Sequence, residues 1–138
     1  MDKIIFKEGE KSLSFDILSY EFPDMSGNTD DYDANWLVVE FKYSDNDLNF
    51  RQQDSCLLSF ELKSLIESID SIILGQETGI IKTFMEPYLS LAITNVKGIY
   101  ALQIRFVYDT TDGYWKEVYI CEELDDENLK NLNEQFKV

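Results

Sequence analysis

Alternation of apolar residues over residues 32–43 places the strongest limit on the fold of this chain. The side chains of one face are Leu37, Val39, Phe41 and Tyr43, and those of the other are Trp36, Val38, Glu40 and Lys42. A period of two is the mark of a strand with two different faces. One face is entirely apolar, whereas the other is apolar only at its start. We therefore expect a central antiparallel strand that runs out of the core toward Lys42.

Other segments repeat or interrupt this period. Residues 100–108 alternate without a break and predict the most regular strand. In residues 12–22 the apolar parity changes after Ile17, which predicts a β-bulge at that point. The polar residues 45–53 are expected to form a hairpin connection, and residues 114–121 the last strand.

Two segments have a helical period instead. Within residues 61–74 the apolar side chains recur at steps of three and four, which predicts an amphipathic helix that ends before Gly75. Asp125 can cap a second helix over residues 125–136. The apolar stripe of this second helix consists of Leu129, Leu132 and Phe136.

Together these patterns predict an α+β fold that is mostly β. We expect one domain over residues 1–138, because no repeat, linker or low-complexity tract divides a chain of this length. Its centre should be a curved antiparallel sheet of about 7–8 strands, with the first helix packed on it and the second at the C-terminus.

The residues that usually carry chemistry are scarce. The chain has no histidine, and its two cysteines, Cys56 and Cys121, are far apart in sequence and are expected to be buried free thiols. Residues 45–49 copy the start of a calcium loop, but Phe50 and Cys56 stand where glycine and glutamate are needed. A carboxylate such as Glu86 is the remaining catalytic candidate. We therefore expect no enzyme activity, no cofactor and no metal.

The formal net charge is −15, from 27 acidic and 12 basic residues. Such a charge disfavours binding to nucleic acid and to anionic membranes and favours a basic protein partner. Without a targeting signal the predicted location is the cytoplasm. The acidic residues concentrate in residues 12–41 and 109–138. From these segments we predict nine partner-binding residues: Asp24, Asp30, Asp31, Asp33, Glu122, Glu123, Asp125, Asp126 and Glu127.

A family resemblance sharpens this prediction. The sequence Asp-Ala-Asn-Trp-Leu-Val-Val at residues 33–39, and Glu86-Pro87 followed by alternating apolar residues, resemble the WapI-type immunity proteins of bacterial contact-dependent competition systems. The resemblance implies a protein that binds a cognate toxin domain, often a nuclease, and neutralises it by stoichiometric occlusion without turnover. It assigns no contact residues.

Other classes of function remain open at this stage. One is an acidic binding or regulatory module with another basic partner, and a second is a small-ligand-binding β domain. Exposed aromatic residues such as Tyr114 and Trp115 would suit a recognition surface, although a sheet edge explains them equally well. A pocket with converging carboxylates would instead indicate an enzyme.

Overall fold

The computed structural model describes residues 3–21 and 35–137 and shows two antiparallel sheets with two helices. Strands β1 to β4 are Ile4–Glu8, Lys11–Tyr20, Trp36–Ser44 and Asn49–Leu58, and strands β5 to β8 are Gly79–Thr83, Leu89–Val96, Ile99–Asp109 and Lys116–Leu124. Helix α1 is Ser59–Ile73 and helix α2 is Asp126–Phe136. In each sheet the strands lie in chain order.

The N-terminal sheet, β1 to β4, contains the predicted anchoring strand. β3 lies between β2 and β4, and Val39, Phe41 and Tyr43 on its inward face are almost completely buried. The pairing of β2 with β3 shifts between Ile17 and Ser19, which confirms the predicted bulge. The strand buries Leu13, Phe15 and Ile17 before the shift, and after it the partly buried Tyr20 packs against the core.

The C-terminal sheet, β5 to β8, is built around β7. Its inward residues Leu102, Ile104 and Phe106 are buried, while Ala101 and Gln103 between them are exposed. The alternation over residues 100–108 therefore predicted both the strand and its two faces. Gly98 has a positive φ of +88°, which glycine adopts readily, and so allows the tight turn between β6 and β7.

The inward faces of the two sheets share one apolar core. The rings of Phe41 and Phe106 stack across the sheets with their centroids 4.2 Å apart, and Phe50 stacks on Phe106 at 5.7 Å. Stacked and offset aromatic pairs add roughly 0.5–1.5 kcal/mol beyond the burial of their area. These rings fix the distance between the sheets.

Helix α1 connects the sheets between their edge strands β4 and β5 and contacts both. Its buried residues are Leu62, Leu65, Ile69 and Ile72. Glu61 holds the helix start in place, because its carboxylate accepts the backbone N–H of Leu58 at 3.1 Å and that of Met85 at 2.8 Å. The helix closes this side of the core.

On the other side, the edge strands β1 and β8 lie next to each other. Carboxylates link them: the Cys121 backbone N–H donates to Glu8 at 3.0 Å, and the Lys7 backbone N–H donates to Glu122. The Lys11 ammonium also donates to the Tyr119 carbonyl at 3.3 Å. We call this contact the seam. In the seam, free backbone N–H groups at the edges of the two sheets donate to side-chain carboxylates. The two described strands form no ladder of backbone hydrogen bonds with each other.

The fold class and the strand number are confirmed, and the eight strands are distributed over two four-stranded sheets. Helix α1 begins two residues earlier than predicted, and the cap at Asp125 is confirmed by its 2.8 Å bond from the Asn128 N–H. The prediction that residues 45–53 form only a hairpin connection is wrong, because β4 already begins at Asn49. The last strand runs from Lys116 to Leu124 instead of over residues 114–121.

The prediction for the cysteines is correct for Cys56 and wrong for Cys121. Both thiols are free and Cys56 is buried, but Cys121 is exposed. Val118 and Ile120 take the inward positions of β8, so the odd-numbered Cys121 points away from the core.

Candidate partner-binding surface

The C-terminal acidic cluster consists of Glu122, Glu123, Asp125, Asp126 and Glu127. The structure places all five at the β8–α2 junction, but three of them have structural roles. Asp125 caps α2, Asp126 pairs with Lys130 at 2.7 Å, and Glu122 belongs to the seam. The ion pair with Lys130 lowers the pKa of Asp126.

The remaining two members have no such structural role among the described residues, and their part in partner binding stays a prediction. Glu123 and Glu127 are exposed, and their side chains make no hydrogen bond or ion pair with residues 3–21 or 35–137. The other four predicted residues, Asp24, Asp30, Asp31 and Asp33, lie outside the described residues, as do the first two residues of the Asp-Ala-Asn-Trp-Leu signature. Their role as partner-binding residues stays a prediction.

The outer face of the C-terminal sheet is not covered by any other described element, and it carries mostly small residues. Register places Ile81, Ala92, Gln103 and Cys121 in one row across the four strands. The row on one side of it holds Gly79, Thr94, Ala101 and Glu123, and the row on the other holds Thr83, Ser90, Arg105 and Tyr119. Both helices pack their buried residues into the core on the opposite side of this sheet.

Large apolar side chains are also exposed on this face. Ile81 is 80% exposed at the edge strand β5. Val96 and Ile99 are a pair on the same face beside the β6–β7 turn, and both are exposed. At the other end Tyr119 is exposed, and Trp115 immediately precedes β8 with the same parity. Such residues near a small, flat surface are typical of protein-binding sites.

Two shallow grooves cross this face. The larger, of about 450 Å³, has a floor of small and polar residues and three carboxylates along its rim, those of Glu8, Glu122 and Glu123. The smaller, of about 170 Å³, lies between Ile81 and the Arg105–Tyr119 pair. Among the described residues, the lining of the larger groove contains no lysine or arginine.

One charge network lies at the Trp115 end of this face. The Arg105 guanidinium is paired with Glu117, and the Tyr119 hydroxyl donates to the same carboxylate at 2.5 Å. The hydrogen bonds from Tyr119 and Arg105 lower the pKa of Glu117. The charge of Arg105 is thus neutralised within the protein.

The outer face of the N-terminal sheet is different, because it is built on charged side chains. Glu40, with a side chain only 9% exposed, accepts hydrogen bonds from Gln53 and Arg51 at 2.7 Å and lies 3.4 Å from the Lys42 ammonium. The bonds from Gln53 and Arg51 lower the pKa of Glu40 to about 2. Sequence alternation marked this position only as the polar side of β3.

The core formed by the described residues is closely packed. Its cavity, between apolar side chains of both sheets and both helices, has a volume of about 10 Å³, which is about the minimum for one water molecule. Cys56 is buried beside the core, and burial followed by the charges of Asp54 and Glu86 raises the pKa of its thiol to about 12, so the reactive thiolate is suppressed.

Within residues 3–21 and 35–137, no group of three or more cysteine, aspartate or glutamate side chains is arranged to hold a metal ion. The aspartates at the start of the calcium-like segment have another use: Asp45 accepts the backbone N–H groups of Asp47 and Leu48, both at 2.7 Å, and the Tyr43 hydroxyl. They shape the β3–β4 turn. Neither described helix is long and apolar enough to cross a membrane.

The described residues form a small two-sheet protein with a packed core and, on the C-terminal sheet, an outer face that no other described element covers. Comparison with protein-family models matches residues 3–138 to the immunity protein WapI-like family. The chain belongs to this family, which supports an immunity function with a toxin protein as partner. No curated protein and no solved structure gave a significant match.

Proposed function

We propose that this protein neutralises a basic, nuclease-type toxin domain in the cytoplasm by binding it in a stoichiometric complex, without catalysing a reaction. Membership of the immunity family carries the proposal. The net charge of −15 supports the basic character of the toxin, because a domain that binds phosphates presents the opposite charge.

The described structure supports binding over chemistry. Its strongest charge networks, around Glu40 and Glu117, are each neutralised by cations of the same sheet. Of the three carboxylates that line the larger groove, those of Glu8 and Glu122 accept backbone N–H groups in the seam, so they hold the two sheets together. Occlusion of the toxin needs only a complementary surface.

Co-purification with the C-terminal domain of the toxin encoded at the same locus tests the proposal. We expect a complex with one copy of each protein, and we expect inhibition of the toxin to be complete at a 1:1 ratio. Inhibition at far lower ratios would show turnover and contradict occlusion. Absence of binding would contradict the immunity function itself.

A second measurement tests the charge component. Neutralising Glu123 and Glu127 together to Gln should slow association with the toxin, more strongly at low salt, where screening is least. Glu67→Gln with Glu77→Gln is the matched control, because both residues are exposed, lie on or just after α1 and carry the same charge. Equal rates for the two variants at both salt concentrations would exclude the C-terminal cluster from steering.

The same design applies to the segment outside the described residues. Changing Asp30, Asp31 and Asp33 together to Asn should leave the fold intact and slow association with the toxin. The comparison with the parent at two ionic strengths decides whether this segment contributes, independently of the C-terminal cluster.

A further inference from the structure

We propose that the toxin binds to the outer face of the C-terminal sheet, and that a lysine or arginine side chain of the toxin enters the groove beside Glu123. This inference rests on the proposed function, since it identifies the surface that such a partner would use. It assigns roles to residues outside the acidic segments that the sequence singled out.

The shape of this face is the first observation. Thr94, Ala101, Gln103 and Cys121 are exposed on adjacent strands, so that a partner can approach the sheet directly. The small side chains of Ala92 and Ala101 leave room above the backbone of β6 and β7. The aliphatic stem of a lysine or arginine can lie in this space while its charged end reaches the carboxylates at the rim.

The apolar residues around the groove are the second observation. Ile81 lies on the edge strand β5, Tyr119 on β8 and Trp115 just before β8, and they are 80%, 38% and 51% exposed. Large apolar and aromatic side chains that lose their water in a complex supply most of its binding energy. A partner that covers the groove would bury all three.

Charge identifies the partner as basic. Glu123 is unpaired among the described residues, whereas Glu122 accepts a neutral backbone N–H and pairs with no described cation. Glu8 is 3.8 Å from Lys11, which offsets part of its charge. Arg105 is already neutralised by Glu117. The groove therefore has a negative excess that an entering cation would balance.

The outer face of the N-terminal sheet has a different balance of charge. Glu40 there already has three donors, and the neighbouring Lys42 and Arg51 would repel a basic partner. The two faces are thus distinguishable in one experiment with the same partner.

The protein has a natural probe for this experiment in Cys121. It is exposed and lines the larger groove, whereas Cys56 is buried, so a maleimide should modify Cys121 alone. Reaction with Cys121 in the complex with the C-terminal toxin domain of the same locus should be slowed by at least about tenfold. A Cys121→Ser, Ser19→Cys double variant carries the control thiol on the outer face of the N-terminal sheet, where Ser19 is exposed, and its reaction should be unchanged.

Substitutions supply the independent test. Ala101→Lys introduces bulk and a positive charge at the centre of the face and should weaken toxin binding by about a hundredfold or more. Ser19→Lys makes the same change of charge at an exposed position on an interior strand of the other sheet, and should alter binding by less than about threefold. Circular dichroism and urea unfolding verify that both variants fold.

The outcomes separate this inference from the proposed function. If the parent binds the toxin while Cys121 stays reactive and Ala101→Lys binds normally, the toxin uses another surface and the inference is wrong. If the parent does not bind the toxin, the proposed function fails first. Protection of Cys121 by increasing concentrations of the free protein, with a dimer seen by light scattering, would assign this face to self-association and also overturn the inference.

Discussion

The two outer faces of the molecule have the same architecture and opposite surface chemistry. Each covers four antiparallel strands in chain order. The N-terminal face pairs its central carboxylate internally, with Glu40 held by Arg51, Gln53 and Lys42. The C-terminal face has small residues, exposed apolar side chains and unbalanced carboxylates. A face whose polar groups are already paired gains little from a partner. The unpaired carboxylates and exposed apolar side chains of the second face can still form favourable contacts with one.

The largest expected effect is a loss of stability caused by a substitution on the buried, inward side of the C-terminal sheet. Phe106→Ala removes the ring that stacks on Phe41 and Phe50 and should lower the free energy of unfolding by about 3–5 kcal/mol. Urea unfolding followed by fluorescence measures this loss. Phe106→Leu keeps most of the volume and should cost clearly less. Equal losses for both variants would show that the ring stacking contributes more than the filled volume.

The seam that joins the two sheets comes next. Glu8→Ala and Glu122→Ala each remove an acceptor from a backbone N–H of the opposite edge strand, and should each cost about 1 kcal/mol in urea unfolding. The Gln variants keep an acceptor oxygen and serve as controls with a smaller expected loss. If Gln costs as much as Ala, the charge of these carboxylates matters more than the hydrogen bond.

A smaller expected effect is a difference between the two outer faces in how strongly pH changes the stability of the protein. The pKa of Glu40 is lowered to about 2, so its contribution to stability is present above its ordinary value near 4.5 and is lost as the pH falls toward 2. Glu40→Gln should therefore flatten the fall in the urea midpoint between pH 5 and pH 3. The matched Glu117→Gln should flatten it less, because the Glu117 side chain is more exposed, 28% against 9%. Parallel curves for parent and Glu40→Gln would contradict this assignment.

The smallest expected change in stability is at the edge of the proposed binding face. Ile81→Thr replaces a side chain that is 80% exposed by another β-branched residue and should alter the free energy of unfolding by less than about 0.5 kcal/mol. Toxin binding should nevertheless weaken. A variant that lost stability instead would show that Ile81 supports the edge strand.

Sequence reasoning predicted the elements whose periodicity is strong. The alternation in β3 and β7 and the apolar stripe of α1 were sufficient, because one buried face imposes a regular pattern on the residues. The polar first half of β4 was not predicted. Arg51 and Gln53 face outward on an edge strand, so they form no part of an apolar alternation that the sequence would reveal. Pairing between strands leaves no periodic signal, so the division into two sheets was not predictable in this way.

The candidate site was predictable only in part. Total charge indicated a basic partner, but it could not separate Glu122, Asp125 and Asp126, which have structural roles, from Glu123 and Glu127, which have no such role among the described residues. That distinction depends on which backbone amides and cations lie nearby in space. The small residues Ala92 and Ala101 become informative only once register places them side by side with Gln103 and Thr94.

The strict chain order of the strands has a consequence for folding kinetics. Every hydrogen-bonded strand partner is the preceding or following strand, so each sheet can form as successive hairpins with short or moderate loop closures. Topologies of this kind fold faster than Greek-key sandwiches of similar size, which must join strands that are remote in sequence. The contacts of β1 and β2 with β8 and the docking of α2 bring the two ends of the chain together. These late contacts should open first on unfolding, and hydrogen exchange at the Lys7 and Cys121 amides would report it.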